Sequence, residues 1–197
     1  ELWEKNFQPV LVDDFCAIRA SFHPEEKNTR FNIVITPKMS FGTGHHATTY
    51  MMLEQMREAD FKNKRVFDFG TGTGVLAILA EKSGGQKIIA IDNDEWSIEN
   101  AGENIKRNNC TAIDLKLSNT ANTESMFDII LANINKNVIL ENLEFLKKQL
   151  LPGGTLFISG LLATDEQEIL SECNKKGLKF DEKTERHNWL FIKLSHF

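Results

Sequence analysis

From residue 65 onward, short apolar runs typical of strands alternate with longer amphipathic stretches typical of helices. The predicted strands are Val66–Phe69, Ile88–Ile91, Ile113–Leu117, Phe127–Ala132, Thr155–Ser159, Leu178–Glu185 and Trp189–Leu194. The predicted helices are Val75–Lys82, Ser97–Arg107, Val138–Leu150 and Asp165–Lys176. Strands joined through helices lie parallel, whereas the last two strands are separated only by a short turn. We therefore predict an α/β fold with a doubly wound, mostly parallel seven-stranded sheet and a C-terminal antiparallel hairpin at one edge.

The part of the chain before residue 65 lacks this alternation. It opens with three short β-like runs: Val10–Val12, Cys16–Phe22 and Phe31–Ile35. A glycine-rich stretch over Pro37–His46 then predicts a loop, and Ala47–Glu58 predicts a helix. We therefore divide the chain into leading strands at residues 1–36 and a main domain at residues 37–197.

Composition narrows the class of protein. The chain has 197 residues, is 41% hydrophobic and carries a net charge of -5, which fits a folded globular domain. No apolar run approaches the roughly 18 residues of a membrane helix, so we expect no membrane partner. The negative charge argues against direct binding to nucleic-acid phosphates. Three widely spaced cysteines fit neither a disulfide framework nor a metal site, which favours the reducing cytoplasm.

A glycine-rich turn joins the first strand of the alternating region to the next helix. Asp68 ends the strand, and Gly70, Gly72 and Gly74 follow it. Position 75 is valine, so the dinucleotide fingerprint is absent, and no lysine completes a phosphate-binding loop. Glycines still let a ligand lie against bare backbone, and N–H groups at a helix start suit a carboxylate. We predict a ligand site here, the alternative being an ordinary tight turn.

Polar residues also follow two other strands of the predicted sheet. Asp92 ends the second strand, where its carboxylate can accept hydrogen bonds from a ribose diol. Its neighbour Asp94 is expected to cap the next helix, a role that Asp92 could also fill. Asn133 follows the fourth strand, beside the glycine turn, where its amide oxygen could accept a hydrogen bond from an amine. The alternative for Asn133 is a turn residue that caps the helix starting near Asn137.

The glycines, Asp92 and Asn133 together resemble the class I methyltransferases, which use S-adenosylmethionine. A narrower resemblance lies upstream, because the stretch Ser40–Thr49 is similar to the loop and helix start of the PrmA family, bacterial methyltransferases of ribosomal protein L11. The similarity runs along the chain and includes Ala132–Ile134, Pro152–Gly154 and Trp189. It implies a Rossmann-like methyltransferase sheet, S-adenosylmethionine as the cofactor, and ribosomal protein L11, free or on the large subunit, as the partner.

The resemblance also implies roles for individual residues. Four residues match cofactor-binding positions of the family: Thr49, Gly70, Asp92 and Asn133. Asn133 matches the asparagine near the reactive methyl group and is the candidate catalytic residue. Gly72 is expected to lie against the cofactor, where a side chain would block binding. Phe41 and His46 match the loop that covers the cofactor, so we expect residues 41–49 to act as a lid. Trp189 is similar to an aromatic residue near the substrate entrance, the alternative being a core residue of the hairpin.

Methyl transfer to lysine side-chain and N-terminal amines of ribosomal protein L11, by a monomer, is therefore the expected function. Two alternatives stay open: a class I methyltransferase for a small molecule or an RNA base, and a cofactor-binding module without catalysis. Asn133 is followed by Ile134 and Asn135 rather than by an aromatic platform for a flipped base, which counts against an RNA base. His45 and His46 are either candidate bases or loop residues that pack on the cofactor.

Two departures from the family pattern accompany the resemblance. The family reads Asn-Ile-Leu where this chain has Asn135 in the third place, so the positioning of an amine after Asn133 can differ here. The family also carries a small N-terminal domain that recognises the ribosomal protein. Only 69 residues precede Gly70, and the segment Trp3–Pro9 resembles the family's interdomain segment. We therefore expect the chain to be a catalytic domain, with the recognition domain absent and residues 1–36 as a remnant of the interdomain segment.

Overall fold

A computed structural model of the chain describes residues 7–36, 42–44 and 46–196. Three short strands near its start form a sheet of their own: β1 (Val10–Val12), β2 (Cys16–Arg19) and β3 (Phe31–Val34). β1 runs antiparallel to β2, and β3 runs parallel to it. The prediction that the second strand reaches Phe22 is wrong. β2 ends at Arg19 because the chain turns there, where the N–H of His23 donates to the carbonyl of Ala20 at 3.1 Å.

The main sheet has seven strands, and their order along the chain is the predicted one. Their bounds are β4 (Arg65–Phe69), β5 (Lys87–Asp92), β6 (Ile113–Leu117), β7 (Phe127–Asn133), β8 (Leu150–Leu162), β9 (Leu178–Arg186) and β10 (Trp189–His196). Across the sheet they follow the order β6-β5-β4-β7-β8-β10-β9. Neighbours from β6 to β8 are parallel, and β10 is antiparallel to both β8 and β9. The predicted fold class, including the hairpin at one edge, is confirmed.

Within the described ranges, five helices connect the strands: α1 (Ala47–Met56), α2 (Val75–Lys82), α3 (Glu95–Arg107), α4 (Lys136–Gln149) and α5 (Glu166–Lys175). A short 3-10 helix, Ala163–Asp165, leads into α5. Among the helices that the structure describes, none has the length and apolar character needed to span a bilayer.

Alternate residues of the central strands point to opposite faces of the sheet, and each face has its own apolar core. Val66 of β4 belongs to the core beneath α1 and α2, whereas its neighbour Phe67 belongs to the core beneath α4 and α5. Ile129 and Ile130 of β7 divide in the same way. Burial on both faces explains why these strands read as continuous apolar runs rather than alternating ones.

The small N-terminal sheet shares the first of these two cores. Val12, Ile18 and Ile33 are fully buried and pack with residues of α1, α2 and β4. Two asparagines at the end of α3 hold the chain at and just after the end of β3. Asn104 accepts from the N–H of Thr36 at 2.7 Å, and Asn108 is the residue that follows the helix. Asn108 accepts from the N–H of Val34 at 2.9 Å and donates to its carbonyl at 2.7 Å. Residues 7–36 are therefore built into the main fold rather than attached to its surface.

The end of α4 and the start of β8 differ from the prediction. The predicted helix ran to Leu150, followed by a turn at Pro152–Gly154 and a strand from Thr155, but in the structure Leu150 already pairs with Phe127 of β7. Two residue steps on β7, from Phe127 to Ile129, correspond to five steps on β8, from Leu150 to Thr155. The proline and two glycines therefore form an irregular, bulged segment of β8. Proline interrupts the pairing there because it cannot donate a hydrogen bond to the neighbouring strand.

Candidate active site

The glycine turn lies at the carboxyl end of β4 and opens α2. The N–H groups of Gly70 and Thr71 both donate to the carbonyl of Ile91 at 2.9 Å, which fixes the turn against β5. Gly70 has a φ of 78°, and a Cβ there would collide with the Cγ2 atom of Ile134. Only glycine therefore lets the turn approach the end of β7 so closely.

Asp68, the acid at the end of β4, lies underneath the turn rather than in the open. It is fully buried, and its Oδ2 atom accepts from the hydroxyl of Thr71 at 2.6 Å. Its Oδ1 atom has no hydrogen-bond partner among the described residues. Burial raises the pKa of Asp68 to about 7, although hydrogen bonds from Thr71 and from the backbone of Ala77 favour the charged form and the charge of Asp92 opposes it.

Asp92 and Asp94 have different roles, and Asp94 caps the next helix as predicted. Asp94 caps α3 by accepting from the N–H of Ser97 at 3.0 Å. Asp92 instead accepts from the N–H of Gly72 at 2.9 Å and from the N–H of Asp94 at 3.1 Å, with a different carboxylate oxygen in each case. The Asp92 carboxylate is thus fixed beside the glycine turn, and each of its oxygens keeps a lone pair for a ligand.

Asn133 ends β7 and is held from behind by α1. Its Nδ2 atom donates to the Oγ1 atom of Thr49 at 3.1 Å, and its Oδ1 atom is buried without a partner among the described residues. The alternative interpretation, that Asn133 caps the next helix, is wrong. Asn135 is the cap of α4 and accepts from the N–H of Val138 at 3.1 Å. A buried, unpaired acceptor costs free energy, so it is a place where a ligand N–H is favoured.

His46 and Trp189 come together from distant parts of the chain. His46 caps α1, and its Nδ1 atom lies 2.8 Å from the hydroxyl of Thr48. The ring of Trp189, at the start of β10, meets the His46 ring edge-on with 4.7 Å between ring centroids. Burial lowers the pKa of His46, which favours the neutral form of its imidazole.

These elements enclose a cavity of about 410 Å³ at the carboxyl ends of the parallel strands, the edge where α/β sheets bind ligands. Six of the residues singled out from the sequence line it: His46, Gly70, Gly72, Asp92, Asn133 and Trp189. Thr49 is fully buried behind Asn133 and is not part of the lining. Phe41 and His45 lie outside the described residues. Of the expected lid, Ala47–Thr49 belongs to the first turn of α1.

Several residues of the lining had not been singled out from the sequence. Ser118 and Asn119 follow β6, and the N–H of Ser118 donates to the carbonyl of Asp92 at 2.9 Å. Both residues directly follow a parallel strand, and Asp92 was identified by its position at the end of such a strand. Ser118 and Asn119 could therefore have been predicted from the sequence in the same way. Gly160, in β8, also lines the cavity, but its importance comes from contact with the backbone of Ile134, which no local pattern reveals.

Comparison with known proteins gives consistent matches over nearly the whole chain. The family model that matches residues 1–196 is described as "Ribosomal protein L11 methyltransferase (PrmA)". A relative of that name from Porphyromonas gingivalis is 41% identical, and the match covers 99% of this chain and 68% of the relative. One from Phocaeicola vulgatus is 39% identical, with coverage of 98% and 70%.

A solved structure agrees with the sequence matches. The crystal structure of ribosomal protein L11 methylase from Lactobacillus delbrueckii subsp. bulgaricus superposes with a TM-score of 0.87 at 27% identity. The superposition covers 96% of this chain and 99% of that one. The small sheet and the main sheet are therefore both within the aligned region.

Proposed function

Because this chain belongs to the ribosomal protein L11 methyltransferase (PrmA) family, we propose that it methylates lysine side-chain and N-terminal amines of ribosomal protein L11 in the cytoplasm. Its cofactor is S-adenosylmethionine. The observation that carries the proposal is the shared cavity. The glycine turn and Asp92 line the same space as Asn133, whose amide oxygen has no hydrogen-bond partner in the part of the chain that the structure describes.

The residues that line the cavity fit this cofactor. The carboxylate of Asp92 is fixed by two backbone N–H groups and can accept from both hydroxyls of a ribose. Gly70 and Gly72 place bare backbone along the same wall, so no side chain stands between the turn and a bound nucleoside. We assign Asp92 to the ribose and the two glycines to the body of the cofactor.

Asn133 is the residue we assign to the reacting amine. When bound, the cofactor supplies a methyl group on a sulfonium, which a neutral amine can attack in line. An amine that donates one N–H to the Oδ1 atom of Asn133 has its lone pair directed away from the asparagine, and so becomes oriented. Holding a nucleophile in this way accounts for a large part of the rate enhancement in displacement reactions of this type.

The amine must also lose its proton before it attacks. A free lysine has a pKa of about 10.4, so roughly one in a thousand is neutral near pH 7.4. Burial in the cavity lowers the pKa of an incoming lysine, and water can then take its proton. His46 is already engaged as the cap of α1 and packs against Trp189. We therefore assign His46 to structure and assign no residue the role of general base.

The test is transfer of a labelled methyl group. The chain is incubated with methyl-labelled S-adenosylmethionine and ribosomal protein L11 purified from cells that lack the L11 methyltransferase. Ribosomal RNA and a mixture of small amines are offered in parallel reactions. We expect label in the protein, which mass spectrometry places on lysine and N-terminal nitrogens.

Matched variants make the result specific. Asn133→Ala should bind the cofactor and transfer little label, whereas Asn174→Ala, which changes an exposed asparagine of α5, should transfer as much as the unchanged chain. Label in RNA or in a small amine, with none in L11, would support the alternative class I activity. Binding of the cofactor without transfer to any acceptor would support the non-catalytic alternative.

A further inference from the structure

Asn135 is a second asparagine in the wall of the cavity, two residues after Asn133. β7 ends at Asn133, which is only 7% exposed, whereas Asn135 precedes α4 and is exposed to solvent. The two side chains therefore lie at different depths, Asn133 in the buried part of the wall and Asn135 at its open side. The proposed function uses Asn133 and leaves Asn135 with no role except that of the cap of α4.

The hydrogen bond of this cap fixes which end of the Asn135 amide is free. The Oδ1 atom of Asn135 accepts from the N–H of Val138 at 3.1 Å. A backbone N–H can only donate, so the atom that faces it has to be the oxygen, and the NH2 group has to lie on the other side of the amide. Among the described residues, the Nδ2 atom has no hydrogen-bond partner. Asn135 therefore offers a ligand of the cavity a donor in a defined orientation.

Asn135 belongs to a different strand end from the residues that we assign to the cofactor. Asp92 ends β5 and the glycine turn follows β4, whereas Asn135 follows β7, the next strand towards the hairpin. Ile134, Val138 and Trp189 also line the cavity on the side of β7 and the hairpin. An apolar lining with a few placed polar groups suits the methylene chain of a lysine side chain. We therefore expect the substrate polypeptide on the side where Asn135 lies.

A donor at this place needs an acceptor on the substrate, and the reacting amine cannot supply it. A protonated amine has no lone pair, and a neutral amine directs its lone pair at the methyl group. The main chain of a polypeptide does supply acceptors, because every lysine and every N-terminal residue carries a carbonyl group. A free amine without a main chain has no such oxygen.

We propose that Asn135 is a specificity-determining residue, whose Nδ2 group donates to a main-chain carbonyl oxygen of the polypeptide that carries the target amine. This inference rests on the proposed function and deepens it. It names the group by which the site distinguishes an amine of a polypeptide from a free amine.

A substitution at Asn135 can remove the donor and keep the cap. Serine caps helices about as well as asparagine, and its short side chain lacks the NH2 group, so Asn135→Ser changes the proposed contact with little effect on α4. The matched control is Asn137→Ser, which changes an exposed asparagine of α4 that does not line the cavity. Melting temperatures of both variants check that the fold is intact.

Two acceptors with the same kind of amine test the contact by kinetics. The compound n-butylamine reproduces the lysine side chain alone, and Nα-acetyl-lysine N-methylamide adds the carbonyl groups of the main chain. For Asn135→Ser we expect kcat/KM to fall about 2- to 10-fold for the lysine derivative, the range for one neutral hydrogen bond, and to stay unchanged for n-butylamine. Asn137→Ser should leave both values unchanged.

Two kinetic outcomes would overturn the inference. If the ratio of the two kcat/KM values is the same in Asn135→Ser as in the unchanged chain, Asn135 is a helix cap alone. If Asn135→Ser instead has a weaker Kd for S-adenosylmethionine, an unaltered melting temperature and equal losses for both acceptors, then the side chain contacts the cofactor rather than the polypeptide.

Binding gives a reading that does not depend on turnover. The side-chain NH2 signals of Asn135 are identified in a 1H–15N spectrum by their disappearance in Asn135→Ser. In the chain saturated with S-adenosylhomocysteine, the lysine derivative should shift these signals, and n-butylamine at the same concentration should not. Signals that both compounds leave in place would contradict the inference. A shift with the lysine derivative, together with no methyl transfer to L11, would count against the proposed function alone.

Discussion

At the scale of single residues, two aspartates separated by one position act on different parts of the molecule. Asp94 stabilises the start of α3 by accepting the N–H of Ser97. Asp92 points back to the glycine turn and accepts the N–H of Gly72. The difference follows from position: Asp92 is the last residue of β5, whereas Asp94 immediately precedes the helix.

This division of roles gives a paired prediction. Asp92→Ala should weaken S-adenosylmethionine binding by about 1–3 kcal/mol, the cost of losing hydrogen bonds to a charged group. Asp94→Ala should lower the free energy of unfolding by about 1 kcal/mol and leave the cofactor affinity nearly unchanged. Calorimetric titration and urea denaturation of both variants provide the measurements. Unaltered affinity in folded Asp92→Ala would mean that the ribose binds elsewhere.

At the scale of elements, Ile134 contacts both the glycine turn and β8. It follows β7 and lies between the glycine turn and β8. A Cβ at Gly70 would collide with its side chain, and a Cβ at Gly160 would collide with its carbonyl oxygen. Its N–H donates to the carbonyl of Ser159 at 3.2 Å. The two glycines thus set how closely β4, β7 and β8 approach one another beside Asn133.

A comparison of Gly160 with Gly153, both in β8, separates the effect of the contact with Ile134 from the effect of backbone strain. Gly160 has a φ of 83° and Gly153 a φ of 76°, but at Gly153 no described atom lies within 4 Å of an added Cβ. Gly153→Ala should therefore lower the free energy of unfolding by about 1–2 kcal/mol, the cost of a left-handed conformation alone. Gly160→Ala should cost more, and it should also reduce methyl transfer by displacing Ile134 and Asn133. Equal effects of the two variants would contradict this account.

The order of these elements could be predicted from the sequence, because strand and helix periodicities differ and alternate clearly after residue 65. The roles of Asp92 and Asp94 could be separated in advance for the same reason, since each is fixed by its own strand or helix. The hydrogen bonds between the Asn108 side chain and the backbone of Val34 could not be predicted, because they join residues 74 positions apart. The need for glycine at position 160 likewise arises from a neighbouring strand and has no local signature.

At the scale of the whole molecule, one buried carboxyl makes stability depend on pH. Folding raises the pKa of Asp68 from 3.8 to about 7. Between these values the native state keeps a proton that the unfolded chain has released. The free energy of unfolding therefore falls as the pH rises from about 4 to about 7, by at most about 1.4 kcal/mol for each unit of pKa shift. Above that range the contribution is lost and the dependence levels off.

Asp68→Asn removes the ionisation and keeps an oxygen that can accept from Thr71. We expect the difference in unfolding free energy between this variant and the unchanged chain to move in favour of the variant as the pH rises from 4 to 8. Urea denaturation at a series of pH values measures it, with Asp114→Asn, which changes an exposed carboxyl of β6, as the matched control. Curves for Asp68→Asn and the unchanged chain that stay parallel over this range would show that Asp68 does not gain a proton on folding.

The core that the small N-terminal sheet shares with α1 and α2 restricts where this protein can be joined to another one in a chimaera. A chimaera joined at residue 37 would replace β3 and lose its hydrogen bonds to the Asn108 side chain. It would also expose the apolar faces of α1 and α2 that pack against the small N-terminal sheet. Phe7 already belongs to that core. A segment transferred to another protein with its catalytic cavity intact therefore has to include residues 7–36 along with the seven-stranded sheet.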